Sequence, residues 1–150
     1  MSKKTFHIHR SAGVISFLII LSFFISTVLV ELLGDSESIV LVKTYIAYAV
    51  WILIPMMIIT GKSGISMSPK KPKGFIAKKK KRLPFIAFNG LFILVPAATY
   101  LRYLAIEGSF DFLFYSVQAI ELIAGFINLT LMSLNIRDGI LSVRSRQNNK

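Results

Sequence analysis

The chain has 150 residues, of which 54% are hydrophobic, and it carries a formal net charge of +11 with no cysteine. That apolar content is above the roughly 45–50% of an ordinary soluble domain, and the missing cysteine excludes a disulfide framework, a thiolate metal site and a cysteine nucleophile. The mean hydropathy is +0.65, yet 18 residues are Lys or Arg, so the charges and the apolar residues must be segregated.

The first segment, HIHR with Lys3 and Lys4 before it, is basic. It leads into AGVISFLIILSFFISTVLVELL, residues 12–33. This apolar run exceeds the 7–15 residues of a signal-peptide core and has no A-x-A-like cleavage site, so it is expected to stay as a membrane helix. His7 and His9 are expected to be solvated or at headgroup level. A histidine–methionine haem site from His9 with Met56, Met57 or Met132 is a remote alternative, and no histidine occurs in the later blocks.

The turn GDSES precedes a second apolar block, residues 39–60. Its Pro55 predicts a kink. Lys43 and Glu31 stand near the outer ends of blocks two and one and are expected to reach water. GKSGISM, residues 61–67, has no P-loop spacing and reads as a helix-ending glycine followed by loop. The loop 61–83 contains KKPKGFIAKKKKR at 70–82.

The third block spans residues 84–106, with Pro84 at a favourable first-turn position. Asn89, Pro96, Tyr100 and Tyr103 share one face within about 60°. Arg102 points elsewhere and lies about one turn from the helix end, where snorkelling to the surface is its cheapest solution. Pairing with Glu121 is its alternative. All five tyrosines lie in the outer halves of their helices, as in an interfacial aromatic belt. A tyrosine-lined pocket is the functional version.

EGSFD leads into the fourth block, residues 112–135. Gln118, Glu121, Gly125, Asn128 and Asn135 form a polar stripe about 100° wide. Such a stripe should face other helices, through hydrogen bonds averaging about 0.6 kcal/mol in membranes, or line a polar pathway. Glu121 is the carboxylate deepest in any block. NIRDG is expected to end this helix at Gly139.

Each block approaches the ~20 residues needed to cross a bilayer. The expected fold is all-α: a polytopic membrane protein with four antiparallel transmembrane helices in an up-down bundle, a single domain over 1–150. Sixteen of the 18 basic residues fall in the two terminal segments and the middle loop, while both short turns are acidic. The positive-inside rule then puts both termini and the middle loop in the cytoplasm, in a multi-pass inner-membrane protein. Lys70, Lys71, Lys73, Lys78, Lys79, Lys80, Lys81 and Arg82 are expected to contact anionic lipid headgroups. Nucleic acid is not an expected partner, because no folded reading motif or stacking platform accompanies the charge.

No zincin, nucleophile-elbow, Walker or dinucleotide motif occurs, so neither a catalytic set nor a metal site is expected. The leading expectation is a non-catalytic accessory or assembly subunit that packs against a partner membrane protein or itself. The alternatives are a small transporter or ligand-binding protein with Glu121 as its ionisable centre, or a redox anchor for quinone or haem. Candidate ligand or helix-contact residues are Glu121, Gln118, Asn128, Asn135, Arg102, Asn89, Tyr100 and Tyr103.

Overall fold

The computed structural model describes residues 3–71 and 74–148, with the side chains of 5–71 and 74–142. Lys73, an expected lipid contact, lies outside the described residues. The described chain is all-helical: α1 (Lys3–Leu33), α2 (Ser36–Met67), α3 (Gly74–Asn89), α4 (Val95–Ile106) and α5 (Phe112–Asn148). A single π-helical segment, Gly90–Leu94, joins α3 to α4 without a break. Four helical stretches, with α3 to α4 counted as one, are long and apolar enough to cross a membrane.

Local chemistry explains the short turns. Asp35 caps α2, its side chain accepting from the Ser38 backbone N–H at 2.9 Å. Asp111 does the same for α5, where Oδ1 accepts from Leu113 and Phe114 N–H groups at 3.0 and 3.1 Å. The α4 helix ends on Gly108, at φ +68°. There the Ser109 N–H reaches Leu104 O at 3.0 Å and the Gly108 N–H reaches Ala105 O at 3.1 Å, a Schellman closure that satisfies the last carbonyls.

Three expected helix ends move. The α2 helix runs through Gly61 and Gly64 to Met67, and α3 begins at Gly74, so most of the expected loop 61–83 is helical. Pro84 therefore lies inside α3 rather than at its start. Gly139 does not stop α5, which continues to Asn148. A helical glycine costs only about 1 kcal/mol relative to alanine, and the flanking Leu, Arg and Gln are good helix formers. The π segment has a local cause in Pro96. Proline clashes with the carbonyl four residues back, and the wider turn, with the Val95 N–H bonded to Gly90 O, relieves it.

In the bundle α1 packs on α2 and α5, α2 on α4, and α5 on α3 and α4. One apolar cluster joins Val30, Ile39, Leu101, Leu104, Ala105 and Phe114 beside the two short turns. A second joins Ile20, Leu53, Ile86, Leu129 and Met132 toward the basic end. Ile46, Val50 and Ala98 fill the space between helices α2 and α4. Large apolar side chains also cover the outside: Trp51, Phe85 and Phe126 are each more than 60% exposed. A helix apolar on its inner and outer faces alike is suited to a lipid surrounding.

Candidate functional site

The polar stripe of α5 faces inward along its length. Gln118, Glu121, Asn128 and Asn135 are all buried, and so is Gly125. Three of the four polar side chains find partners. Glu121 Oε2 lies 2.7 Å from Lys43 Nζ on α2 and accepts from Gln118 Nε2 at 3.0 Å. Lys43 is fully buried, with Thr27 Oγ1 of α1 at 3.5 Å from the same ammonium. Asn135 Oδ1 receives Arg82 Nη1 at 3.4 Å. Asn89, on the expected matching face of α3, donates to the Ala124 carbonyl at 2.7 Å.

Lys43 is the main correction to the sequence reading, which sent it to water. It lies about two helical turns beyond Ser36, on the inner face with Ile39, Ile46 and Ala47. Its ammonium cannot reach the surface, so the buried acid takes it. Arg102 is not the partner of Glu121. It lies over the Tyr48 ring, 5.1 Å from the centroid, with Nη2 3.3 Å from the Tyr48 hydroxyl. Tyr100 and Tyr103 stack on each other at 6.2 Å and are both exposed.

Asn128 differs from the rest of the stripe. It is fully buried, and among the described residues neither Oδ1 nor Nδ2 has a hydrogen-bond partner. A buried carboxamide with both atoms unpaired costs about 1–3 kcal/mol per group. It lines a cavity of about 330 Å³ between α1, α2, the π segment and α5. The wall is mostly apolar, built from Phe24, Leu53, Met57 and Leu94 among others, and besides Asn128 it includes Thr27, Glu121 and the exposed Lys62. Two wall residues, Ile58 and Leu91, are about half exposed, so the cavity opens sideways onto the apolar outer surface. Gly90 keeps the space above the carboxamide clear: a Cβ there would stand 2.8 Å from Met57 Cε and 3.7 Å from Asn128 Nδ2. The site thus offers the N–H donors and the carbonyl acceptor of one carboxamide in an apolar chamber, with the acid of the buried ion pair in its wall.

A second polar cluster occupies the basic end. His9 is buried, not solvated. Its Nδ1 lies 3.0 Å from Thr60 O and from Ser63 Oγ, and its Nε2 lies 3.1 Å from Lys79 Nζ. Both ring nitrogens are therefore engaged, which leaves neither for the haem arrangement considered from sequence. Asp138 Oδ2 pairs with Arg82 at 2.7 Å, and Oδ1 with Arg137 at 3.1 Å. Among the described residues no three His, Asp or Glu side chains converge as a metal site.

Three residues here escaped the sequence reading: Lys43, His9 and Asp138. For Lys43 the signal existed: a lone base inside an apolar block needs a partner, and Glu121 is the deepest acid. No protein-family model matches the chain, and no curated protein or solved structure matches it either.

Proposed function

We propose that this protein is a membrane-embedded binding protein or carrier for a lipophilic small molecule whose head both donates and accepts a hydrogen bond. The unpaired Asn128 carboxamide in an apolar chamber carries this reading. An apolar cavity with a few convergent polar groups is the usual form of a small-molecule site. A sideways opening suits a ligand that partitions into lipid. Glu121, in the wall of the same chamber and paired with Lys43, is suited to sensing or coupling to the occupant, in keeping with the small-transporter alternative. The accessory-subunit reading ranks second, because the polar stripe that would have faced a partner is occupied inside the chain by Lys43, Arg82 and the chamber itself.

The bundle is proposed to span a cell inner membrane four times, with antiparallel up-down helices and both termini and the basic segment in the cytoplasm. The sequence clustering of 16 of the 18 basic residues in the two terminal segments and the middle segment, against acidic short turns, supports this orientation. Single-cysteine labelling tests it. A thiol probe at Ser36 should react in intact spheroplasts, and one at Ser66 only after permeabilisation. The reverse pattern overturns the orientation.

The ligand reading is tested by purifying the full chain in lipid nanodiscs and identifying the solvent-extracted molecules by mass spectrometry. Wild type should retain one non-bulk lipophilic compound near stoichiometry. Asn128→Leu should lose it while being more stable by about 1–3 kcal/mol, since the orphan amide is gone. Equal retention by both proteins, or bulk phospholipid alone in both, would sink this reading.

A further inference from the structure

A smaller cleft of about 130 Å³ lies at the basic end, separate from the apolar chamber, between α1, α2, α3 and α5. Lys79 turns into it instead of into solvent, unlike its exposed neighbours Lys78, Lys80 and Lys81. The reason is the buried His9 ring. With Nδ1–H donating to the Thr60 carbonyl, Nε2 presents a lone pair, and the Lys79 ammonium donates to it at 3.1 Å. Gly64 leaves room for this contact: a Cβ there would sit 3.1 Å from His9 Cε1.

The ammonium is anchored but not neutralised. Among the described residues no carboxylate forms an ion pair with Lys79. The neighbouring acid, Asp138, has its two oxygens on Arg82 and Arg137. Lys79 therefore has further N–H donors facing a concave wall that also holds Lys80, Ser68 and Ser142. Among the described residues the cleft lining carries two positive charges and no acid, and its Ser142 hydroxyl already donates to the Asp138 carbonyl at 2.7 Å. Phe6, Ile76 and Leu83 supply an apolar side to the same cleft.

We propose that this cleft binds a phosphate group, carried on a lipid headgroup or free in solution. Two lysine charges match a phosphomonoester dianion, and charge-assisted hydrogen bonds to its oxygens replace the missing carboxylate. The apolar side favours the lipid source, since it can cover the first carbons of an ester. Only that preference rests on the membrane reading. The phosphate chemistry stands on the cleft alone, and it does not depend on the Asn128 chamber.

The test is native mass spectrometry of the detergent-purified chain titrated with phosphatidic acid or with diacylglycerol of the same chains. Inorganic phosphate is added in a parallel thermal-shift arm. Wild type should hold one phosphatidic acid and no diacylglycerol. Lys79→Gln should lose about tenfold in affinity, while Lys79→Arg retains binding. Lys78→Gln removes the same charge outside the cleft and should behave as wild type. Lys80→Gln, at the exposed edge, should show a smaller loss and covers the case in which Lys79→Gln fails to fold. Stabilisation by inorganic phosphate that is sensitive to Lys79→Gln, without a lipid adduct, assigns the site to soluble phosphate. Equal losses in Lys78→Gln and Lys79→Gln would mean diffuse charge attraction and overturn the site. So would diacylglycerol binding as well as phosphatidic acid, or no response to either phosphate source.

Discussion

Two ion pairs in this molecule have the same length and a buried acid, but differ in whether the cation reaches water. Lys43–Glu121 and Arg82–Asp138 both close to 2.7 Å. The first is sealed in the bundle, with Lys43 at 0% exposure and the acid at 11%. The second sits at the basic end, where the acid, Asp138, is itself sealed at 0% exposure but its cations reach water, the Arg82 side chain being 20% and Arg137 60% exposed. Distance alone would rank them equal. Desolvation does not, because the loss of one partner strands a charge only where water cannot reach the other.

The largest expected effect is therefore at the sealed pair. Glu121→Gln leaves the Lys43 ammonium buried with an amide and Thr27 for company. Breaking a buried pair costs about 3–5 kcal/mol. Lys43→Met should restore much of that loss in the double variant, since no charge then remains. SDS titration of the four proteins in micelles, read as a double-mutant cycle, measures the coupling. A Glu121→Gln protein as stable as wild type would show that the chamber admits water to the pair, and the contrast between the two ends would vanish. The alternative weighed from sequence, a pair between Glu121 and Arg102, would instead make Arg102→Gln the rescuing change. With Arg102 resting on Tyr48, that rescue is not expected.

The change of partner marks what one-dimensional information holds. Hydropathy found the four apolar helices, because a run of twenty apolar residues has few other fates. The helical wheel found the inward stripe of α5, because burial follows the angle. It could not find the partner of Glu121, because a wheel gives a face and not the neighbour across it. Lys43 was placed by counting from the apolar block at residue 39, whereas the cap at Asp35 starts the helix earlier and carries residue 43 inward. Helix ends at Met67, Gly74 and Asn148 were missed because hydropathy reports where a membrane would end, and a helix need not stop there. The orphan carboxamide of Asn128 and the cleft at Lys79 depend on which groups fail to meet, and no spacing rule predicts that.

The intermediate effect belongs to the basic end. Asp138→Asn keeps the shape but weakens two arginine contacts. Arg82 and Arg137 are both partly in solvent and can rotate outward, so the expected loss is about 1–2 kcal/mol, below that of Glu121→Gln. The loss should also shrink in high salt, because charges in reach of ions are screened, while the Glu121→Gln penalty should not. Unfolding at low and high salt separates the two. If both variants respond alike to salt, the two pairs share one environment and the comparison fails.

The smallest effect is expected at an acid with no ionic partner, Asp35 in the first turn. It is fully exposed and works through hydrogen bonds alone. The Ser38 side chain and then its backbone N–H hold the Asp35 carboxyl below its ordinary value of 3.8. A carboxylate with a lowered folded pKa stabilises the fold above the ordinary value, and that contribution fades as pH falls through the lowered one. Acidification from about pH 5 downward should therefore loosen the first turn of α2 before it disturbs the bundle. Hydrogen exchange at the Ser38 amide reads this directly. In wild type the amide should exchange faster, relative to the chemical rate, as the pH drops. In Asp35→Ala it should be fast at every pH, while overall stability barely moves. In Asp35→Asn protection should persist without pH dependence, because the amide oxygen still caps but does not titrate. If Asp35→Asn kept the pH dependence, another group would be the source. The three acids would then not form the expected series, from a sealed pair through a half-wet one to a solvated cap.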